Sequence, residues 1–402
     1  MTWKIIRIND LGRVVTGYTP PKKRPEYYGS AYPFIKPTDM KIGHRYTYFY
    51  EESYSEEAYE KYKKKLIPEN STAVVTIGSI GQKLTLTHKP CFVNQAVNAV
   101  IPDPSKFDRL YVFYLLRHNL HLVKKADTGA SSGRENVSKS NFSGLELLAT
   151  LDVREQSRIA ALLDSYDSLI ENNRRRIALL EDAARLLYRE WFARLRFPGH
   201  ESVQVVSGLP HGWSRRTIES QSAFLNRGIT PKYDDSALGL VVNQKCIRGG
   251  MLNMEPSRRQ SKEVKPERLL QVGDVLINST GAGTLGRVAL VRSPLPNCTV
   301  DTHVTIVRPL DSARAAYLGL ALLELESNLS TMGIGATNQL ELGRADIAAL
   351  PLLEPPAALQ QDFHDSVWPI LKQSDTLVKM VVGLADARDQ LLSKLMSGEI
   401  KV

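Results

Sequence analysis

The chain has 402 residues, which is too many for one ordinary hydrophobic core and predicts two or three domains. Hydrophobic residues make up 43% and charged residues 24%, a globular composition that excludes a wholly disordered chain. The 52 Lys and Arg residues outnumber the 43 Asp and Glu residues, giving a formal net charge of +9. Such a surplus favours a polyanionic partner, of which nucleic acid is the most common.

Neither a membrane protein nor a disulfide-rich secreted protein is predicted. The longest apolar runs fall well short of the roughly 18 residues of a membrane span, and the N-terminal residues lack the apolar stretch of a secretory signal. Cys91, Cys246 and Cys298 lie far apart and form no C-x-x-C pair, which excludes a disulfide framework and a zinc knuckle. We therefore expect a cytoplasmic protein that does not associate with membranes.

The first part of the chain has the pattern of a mixed α/β module. A β-branched strand at 73–77 leads into a Gly/Ser turn at 78–81, and a short alternating strand follows at 93–97. A polar turn at 128–133 then precedes an apolar strand at 145–148.

A long helix is predicted after this module, over residues 153–197. One set of residues recurs at every seventh position: Ile159, Tyr166, Asn173, Leu180 and Leu187. A second set lies four residues after each of these: Leu163, Ile170, Ile177, Ala184 and Trp191. Together the two sets form one face of the helix, called the seam below. Heptads sustained over this length favour a coiled coil over a plain amphipathic helix. A linker rich in Pro and Gly follows at 198–211 and marks a domain boundary.

The rest of the chain repeats this order. A strand at 275–277 breaks into a turn at 278–286, and a strand at 300–304, a turn at 332–337 and an apolar strand at 350–353 follow. A second long helix then keeps the heptad period with Leu371, Val378, Ala385 and Leu392, flanked by Val367, Val381 and Leu395. Gln361 in this helix matches Gln156 in the first.

These patterns predict an α+β fold with an internal pseudo-two-fold repeat. Two mixed α/β modules are each followed by a long helix, and the two helices pair as an antiparallel coiled coil. The alternative is that each helix packs on the surface of its own module. The predicted bounds are 1–152 and 212–355 for the modules, 153–197 and 356–402 for the helices, and 198–211 for the linker. The predicted seam contains Ile159, Leu163, Tyr166, Ile170, Ile177, Leu180, Leu187, Val367, Leu371, Val378, Val381, Leu392 and Leu395.

Candidate DNA contacts are basic and amide side chains on predicted loops and turns of the modules. Lys and Arg bind phosphates, and Asn, Gln and Arg can each form two hydrogen bonds with a purine edge. In the first module the candidates are Lys22, Lys23, Arg24, Lys36, Lys41, Arg45, Ser79, Gln82, Lys83, Arg134 and Lys139. In the second module they are Arg227, Lys232, Asn243, Gln244, Lys245, Arg248, Ser279, Thr280 and Arg287. The alternative for each is an ordinary exposed residue or a strand-end hydrogen bond.

Other motifs are interpreted as structural. The aromatic cluster at 46–50 could stack on a displaced base, but packing is favoured. The glycine turns at 78–81 and 281–286 lack the Gly-Lys-Ser/Thr of a nucleotide-binding loop, so they are read as tight turns. His303, in Asp301-Thr302-His303, is read as a strand residue rather than a catalytic one, because its repeat partner is Ala96 in Asn94-Gln95-Ala96.

An enzyme within the chain is not predicted. The two Pro-Pro pairs, at 20–21 and 355–356, do not fit the Asn/Asp-Pro-Pro-aromatic motif of an amino-methyltransferase, and no ATP-binding loop is present. His118 and His121 lie on one helix face without a third ligand nearby in the sequence, which argues against a metal site.

Several stretches carry a resemblance to a known family: 156–164, 170–174, 186–192, 242–248, 335–340 and 391–400. In this order, and over nearly the whole chain, they resemble the specificity subunit of type I restriction–modification systems. The resemblance implies that the modules are target-recognition domains, each reading one half of a split asymmetric DNA sequence. It implies that the helices act as a spacer for the unread gap.

The resemblance also implies the partners. Two modification subunits would bind S-adenosylmethionine and methylate adenine, and two restriction subunits that use ATP and Mg would cut DNA. The chain itself would be non-catalytic and would hold no cofactor or metal. The alternative function is a coiled-coil scaffold that binds only proteins and has no DNA specificity.

Overall fold

The computed structural model describes residues 3–127, 135–335 and 340–402. The chain divides into two compact units, residues 1–172 with 380–402 (unit 1) and residues 173–379 (unit 2). Each unit contains one module and a part of both long helices, because the divisions fall inside the helices. Among the described residues, no helix is both long enough and apolar enough to cross a membrane.

Unit 1 combines three small sheets with short helices. Its elements are β1 (Trp3–Arg7), β2 (Gly12–Thr16), β3 (Tyr28–Ile35), β4 (Glu52–Tyr54), α1 (Glu56–Tyr62), β5 (Thr72–Val75), β6 (Leu84–Leu86), β7 (Phe92–Val93), β8 (Val97–Pro102), α2 (Arg109–His118), α3 (Leu120–Lys125), α4 (Lys139–Ser143), β9 (Glu146–Thr150) and the start of α5 (Val153–Tyr188). The strand orders are β2-β8-β5-β6, β4-β3-β7 and β1-β9. All pairs are antiparallel except β3 with β7.

Unit 2 begins inside α5. Its further elements are β10 (Val205–Val206), β11 (Leu209–Pro210), β12 (Ser214–Thr217), β13 (Ser222–Arg227), β14 (Gly239–Val242), β15 (Ile247–Arg248), β16 (Met251–Leu252), β17 (Arg258–Gln260), β18 (Val275–Asn278), β19 (Val288–Leu290), β20 (Cys298–Val300), β21 (Val304–Pro309), α6 (Ala315–Glu324), α7 (Glu326–Thr331), α8 (Arg344–Ala349), β22 (Pro351–Glu354) and the first part of α9 (Ala357–Met396). Sheets β13-β21-β18-β19, β17-β14-β20 and β12-β22 repeat the orders of unit 1, and β14 with β20 is again the parallel pair. The internal repeat is therefore confirmed at the level of topology.

Two glycines mark the same close approach in both modules. A Cβ atom at Gly17 would lie 2.1 Å from the carbonyl oxygen of Asn94, and one at Gly228 would lie 1.9 Å from that of Val300. Neither position can hold a larger residue without moving the backbone, because these distances are far below van der Waals contact.

The glutamines at the starts of the long helices match with a shift of one residue from the prediction. Gln156 is buried and donates from Nε2 to the carbonyl oxygen of Thr150 (2.9 Å). Gln360 is buried and makes the equivalent bond to Pro355 (2.8 Å). Gln361, the residue expected to match, is exposed and binds Asp365.

The first long helix ends earlier than residue 197. A wider helical turn over Arg189–Ala193 follows Tyr188, and Leu195 has a positive φ of 58°. An unstrained helix cannot continue through a left-handed residue, and Pro198 comes shortly after it.

The helices pack against each other in antiparallel fashion within each unit. In unit 1, Ile159 and Leu163 of α5 share one core with Leu392 and Leu395 of α9. In unit 2, Val367 and Leu371 of α9 share a core with Ala184 of α5. Among the predicted seam residues, Ile159, Leu163, Ile170, Val367, Leu371, Leu392 and Leu395 are buried, whereas Tyr166, Ile177, Leu180, Leu187, Val378 and Val381 are half-buried.

Charged residues also occupy the seam, which the heptad pattern did not predict. In unit 1, Asp167 is buried, pairs with the buried Arg388 and accepts a hydrogen bond from the Tyr114 hydroxyl (2.9 Å). In unit 2, Glu181 is buried between Arg292 (Nη2 to Oε2, 2.9 Å) and the hydroxyl of Ser374 (2.6 Å). Each unit therefore fixes the alignment of its two helix segments with a buried ionic group.

Glu181 makes the stability of unit 2 depend on acid pH. Burial raises the pKa of its carboxyl group, but hydrogen bonds from Arg292 and Ser374 and the Arg292 charge outweigh burial, so the pKa is lowered. A lowered folded-state pKa stabilises the protein above the unfolded value of about 4.3, and this stabilisation is lost as pH falls through the folded-state pKa. We expect Glu181→Gln to lower the free energy of unfolding by about 1–3 kcal/mol at neutral pH, and this difference to shrink below about pH 4.

Hydrogen exchange of unit 2 in urea, followed by mass spectrometry between pH 3 and 7, measures this effect. Glu263→Gln, at an exposed carboxylate in the same unit, is the control. The neighbouring Asp375 has a pKa raised by burial, which gives the opposite pH dependence. Because the charge of Glu181 contributes to this raised pKa, both proteins are compared in an Asp375→Asn background, in which Glu181 alone differs. A difference between wild type and Glu181→Gln that does not change with pH would contradict the assignment.

Candidate DNA interface

Three loops of unit 2 meet at one place in its module. The first loop follows β14, the second follows β18, and the third precedes β21. Ser279 donates its backbone N–H to the carbonyl oxygen of His303 (2.8 Å), and a hydrogen bond joins Thr280 Oγ1 and His303 Nδ1 (2.7 Å). Asn278 Nδ2 donates to the carbonyl oxygen of Gln244 (3.0 Å), which ties the loop after β14 to the same place.

Gln244 has the features of a base-reading side chain. Its Oε1 lies 3.5 Å from the Thr280 hydroxyl, and within the described part of the chain its Nε2 has no hydrogen-bond partner. A Cβ atom at Gly281 would lie 2.5 Å from Gln244 Oε1, and Gly281 has a φ of 105°, so only glycine fits beneath this amide. The amide is thus held from one side and keeps donors for a ligand.

His303 belongs to this cluster, although the sequence analysis assigned it to a strand. It is exposed and lies in the turn directly before β21. Its backbone N–H donates to Asp301 Oδ1 (2.9 Å), just as Ala96 donates to Asn94 Oδ1 (3.1 Å) in unit 1. The repeat partner was correctly identified, but the turn that exposes the side chain was not.

Unit 1 has the equivalent cluster of loops. Thr76 donates its N–H to the carbonyl oxygen of Ala96 (2.8 Å), as Ser279 does to His303. Lys83 Nζ donates to the carbonyl oxygen of Pro37 (2.8 Å), which ties the turn after β5 to the loop after β3. The duplicated modules therefore present the same three loops.

The predicted contacts of unit 2 fall into two groups. Lys232, Lys245 and Arg248 are exposed, and Gln244, Thr280 and Arg287 are half-buried within or beside the loop cluster. The other side chains are used within the protein. Arg227 pairs with Glu341 and donates to Leu342 O (2.8 Å), Asn243 Nδ2 donates to Pro256 O (2.7 Å), and the hydroxyl of buried Ser279 is bonded to that of Thr305.

In unit 1, Lys22, Lys23, Lys41, Gln82 and Lys139 are exposed, and Ser79 is half-buried at the tip of the turn after β5. Arg24 is exposed and pairs with Glu26 (3.2 Å). Lys36 lies 2.7 Å from Glu51 and 3.3 Å from Glu52, and the hydrogen bond to Glu51 raises its pKa. Arg134 lies outside the described residues.

Arg45 occupies a different environment from that expected of a DNA contact. Its side chain is 6% exposed and pairs with Asp164 and Glu171 of α5, with Nη2 2.9 Å from Glu171 Oε2. Because two carboxylates compensate its charge, Arg45 anchors the module to the helix within unit 1. We do not include it in the proposed interface.

Exposed aromatic side chains lie beside both modules' basic residues. Phe49 is 84% exposed and Tyr48 49%, whereas Tyr46 is half-buried beneath the Arg45 guanidinium at 4.7 Å. The packing interpretation therefore fits Tyr46 but not Phe49. In unit 2, the Arg258 guanidinium lies 3.5 Å from the ring centroid of Tyr233, a pair that sequence spacing gave no sign of.

The known proteins that this chain is similar to are type I specificity subunits. Residues 1–182 match the family model described as the type I restriction modification DNA specificity domain. The chain is 24% identical over 414 aligned residues to the MjaIX type I restriction enzyme specificity subunit of Methanocaldococcus jannaschii, covering 100% of this chain and 94% of that protein. It is 30% identical over 172 residues to the EcoR124I/EcoR124II specificity subunit of Escherichia coli, covering 42% of this chain and 41% of that one. The crystal structure of the type I restriction–modification S subunit from M. genitalium superimposes with a TM-score of 0.61 at 18% identity, covering 98% of this chain and 96% of that one.

The structural likeness shows the class of fold, a pair of similar modules each followed by a long helix. The resemblance of the whole chain to type I specificity subunits is confirmed. Specificity subunits of type I systems are non-catalytic, and the catalytic activities reside in partner subunits.

Proposed function

We propose that this chain is the DNA-recognition subunit of a type I restriction–modification complex and that each module reads one half of a split, asymmetric target. The observation that carries this proposal is the duplicated loop cluster. Two modules with one topology present the same three loops, but with different side chains. In the first module Ile77 and Ala96 take the places of Thr280 and His303 in the second. Different side chains on one scaffold favour two different half-sites.

The target-recognition domains in this proposal are residues 1–152 and 212–355, with the linker at 198–211. The spacer segments are residues 153–197 and 356–402, whose helical parts are α5 with the wider turn after it, and α9. Fourteen residues separate Asp167 from Glu181 on α5, and fourteen separate Ser374 from Arg388 on α9. Equal spacing of the buried groups supports two helices that run alongside each other in constant register and act as a spacer.

The proposed complex contains two modification subunits and two restriction subunits, located in the cytoplasm. S-adenosylmethionine, ATP and Mg would be bound by those partners. Exposed leucines on α5, Leu179 and Leu186, lie one heptad apart and support docking of a partner on this helix.

The positive charge and the exposed side chains support a division of labour in DNA binding. Lys22, Lys23, Lys41, Lys139, Lys232, Lys245 and Arg248 would bind phosphates and supply affinity that depends on salt. Gln82, Gln244 and Thr280 would read base edges, and Gln244 is suited to adenine because an amide can bond to adenine N6 and N7 together.

We expect adenine methylation of one split motif to depend on this chain. Single-molecule sequencing of host DNA measures this methylation in three strains. In one the gene is intact, in the second it is deleted, and in the third it carries a relative's module in place of residues 212–355. Deletion should abolish methylation of the motif, and the exchange should change one half of the motif and leave the other. A motif that persists after deletion would contradict the proposal, and a change in both halves would contradict independent reading by the modules.

A further inference from the structure

An open cavity of about 560 Å³ lies in unit 2 between the last turns of α5 and two glycine turns of the module. Arg185 and Arg189 line it from the helix, and Arg287 lines it from the module. The glycine turns contribute Gly249, Gly250, Gly281 and Gly283, all with positive φ. The cavity therefore has cationic side chains on two sides, and its lining also includes the carboxylates of Glu324 and Glu326 and three leucine side chains.

Arg185 and Arg287 are the two cations of this cavity that, within the described residues, form no ion pair with a carboxylate. Arg189 pairs with Glu324 (2.8 Å), and Arg287 donates to the carbonyl oxygen of Gly283 (2.7 Å). Arg185 is half-buried and, within the part of the chain that the structure describes, has neither a hydrogen bond nor an ion pair. A Cβ atom at Gly250 would lie 2.9 Å from Arg185 Nη2, so glycine at that position makes room for the guanidinium.

The nearby carboxylates are engaged elsewhere. Glu181, one helical turn before Arg185, binds Arg292 and Ser374 directly, and the charge of Arg185 acts on it only at longer range. Glu326 lines the cavity but accepts a hydrogen bond from the backbone N–H of Val288 (3.1 Å). A half-buried guanidinium whose N–H donors have no acceptor among the described residues is stabilised by an anion, and its planar fork of donors suits two oxygens of a phosphate.

The position of the cavity identifies the source of the phosphate. Gly281, in its wall, also supports the amide of Gln244. Exposed Lys245 lies just before β15, and exposed Arg248 ends that strand directly before Gly249. We propose that Arg185 binds a backbone phosphate of the DNA that unit 2 reads, so that the spacer helix itself takes part in DNA binding. This proposal rests on the proposed function, because it requires DNA at the loop cluster.

The test compares Arg185→Gln with Arg175→Gln in the full chain assembled with its modification subunits. Arg175 is exposed on the same helix and does not line the cavity, so it is a matched control. Arg185→Gln should weaken binding to target and unrelated duplexes by the same factor, roughly five- to tenfold, and should lower the slope of log affinity against log salt by about 1. Arg185→Lys, which keeps the charge, should keep the salt slope.

Each alternative result overturns the inference in a recognisable way. Unchanged affinity and slope for Arg185→Gln would mean that the cavity holds no phosphate. Loss of affinity for the target alone would mean that Arg185 reads a base. Failure of Arg185→Gln to assemble with the modification subunits, while Arg175→Gln assembles, would assign the cavity to a protein partner. The proposed function is decided separately, by whether the wild-type complex prefers its target over unrelated DNA.

Discussion

Replacing Arg388 with Ala is expected to lower the free energy of unfolding of unit 1 by about 3–5 kcal/mol, because it leaves a buried carboxylate without its main partner. Asp167 and Arg388 are each 2% exposed, so the lost contact lies away from bulk solvent. Among the described residues, the polar partners that remain for Asp167 are the Tyr114 hydroxyl at 2.9 Å and Arg117 at 3.8 Å.

Hydrogen exchange of unit 1 in urea measures this loss separately from unit 2. Arg158→Ala, at an exposed arginine of α5 in the same unit, should change the free energy by less than about 0.5 kcal/mol. Replacing the pair together, as Asp167→Leu with Arg388→Met, should recover most of the stability, since no buried charge is left alone. A loss below about 1 kcal/mol in Arg388→Ala would mean that the pair does not hold the helices together.

Removing one heptad from each long helix is expected to shorten the unread gap of the target while leaving both half-sites unchanged. The segments are 172–178 and 377–383, which lie between the buried groups at Asp167 and Glu181 on one helix and at Ser374 and Arg388 on the other. Seven residues of helix span about 10.5 Å, which corresponds to a gap shorter by up to about three base pairs. The seam continues in phase because whole heptads are removed.

Methylation mapping measures the new gap. Deleting 172–178 alone is the control, because it shifts one helix against the other and separates the buried charges from their partners. That variant should lose methylation rather than shift the gap. An unchanged gap in the double deletion, with methylation retained, would contradict the spacer model.

The sequence was sufficient to predict the duplicated topology and the heptad seam, because both depend on patterns within short windows. The strands predicted at 73–77 and 275–277 correspond to β5 and β18, which occupy equivalent places in the sheets of the two units. The buried seam positions, such as Leu163 and Leu371, follow from their spacing alone.

The charged residues could not be assigned in this way. Arg45 was predicted to contact DNA because it lies in a loop, but its partners Asp164 and Glu171 are 119 and 126 residues away in the chain. Asp167 and Arg388 are 221 residues apart. Whether a basic residue is open to a phosphate depends on such distant carboxylates, and no local pattern contains that information.

The internal repeat has two copies, each made of one module and the long helix after it. The buried ionic groups differ between these copies, and this difference limits how the copies can be recombined. Gln156 and Gln360 start the equivalent helices, so the place of Arg388 is taken in the first copy by Ala184, and the place of Ser374 by Ile170. If the first copy of the repeat paired with a second molecule of itself, Asp167 would be buried against Ala184, and Glu181 would be buried against Ile170. The two halves are therefore better partners for each other than for a second copy of themselves, which disfavours a symmetric dimer that would recognise a palindrome.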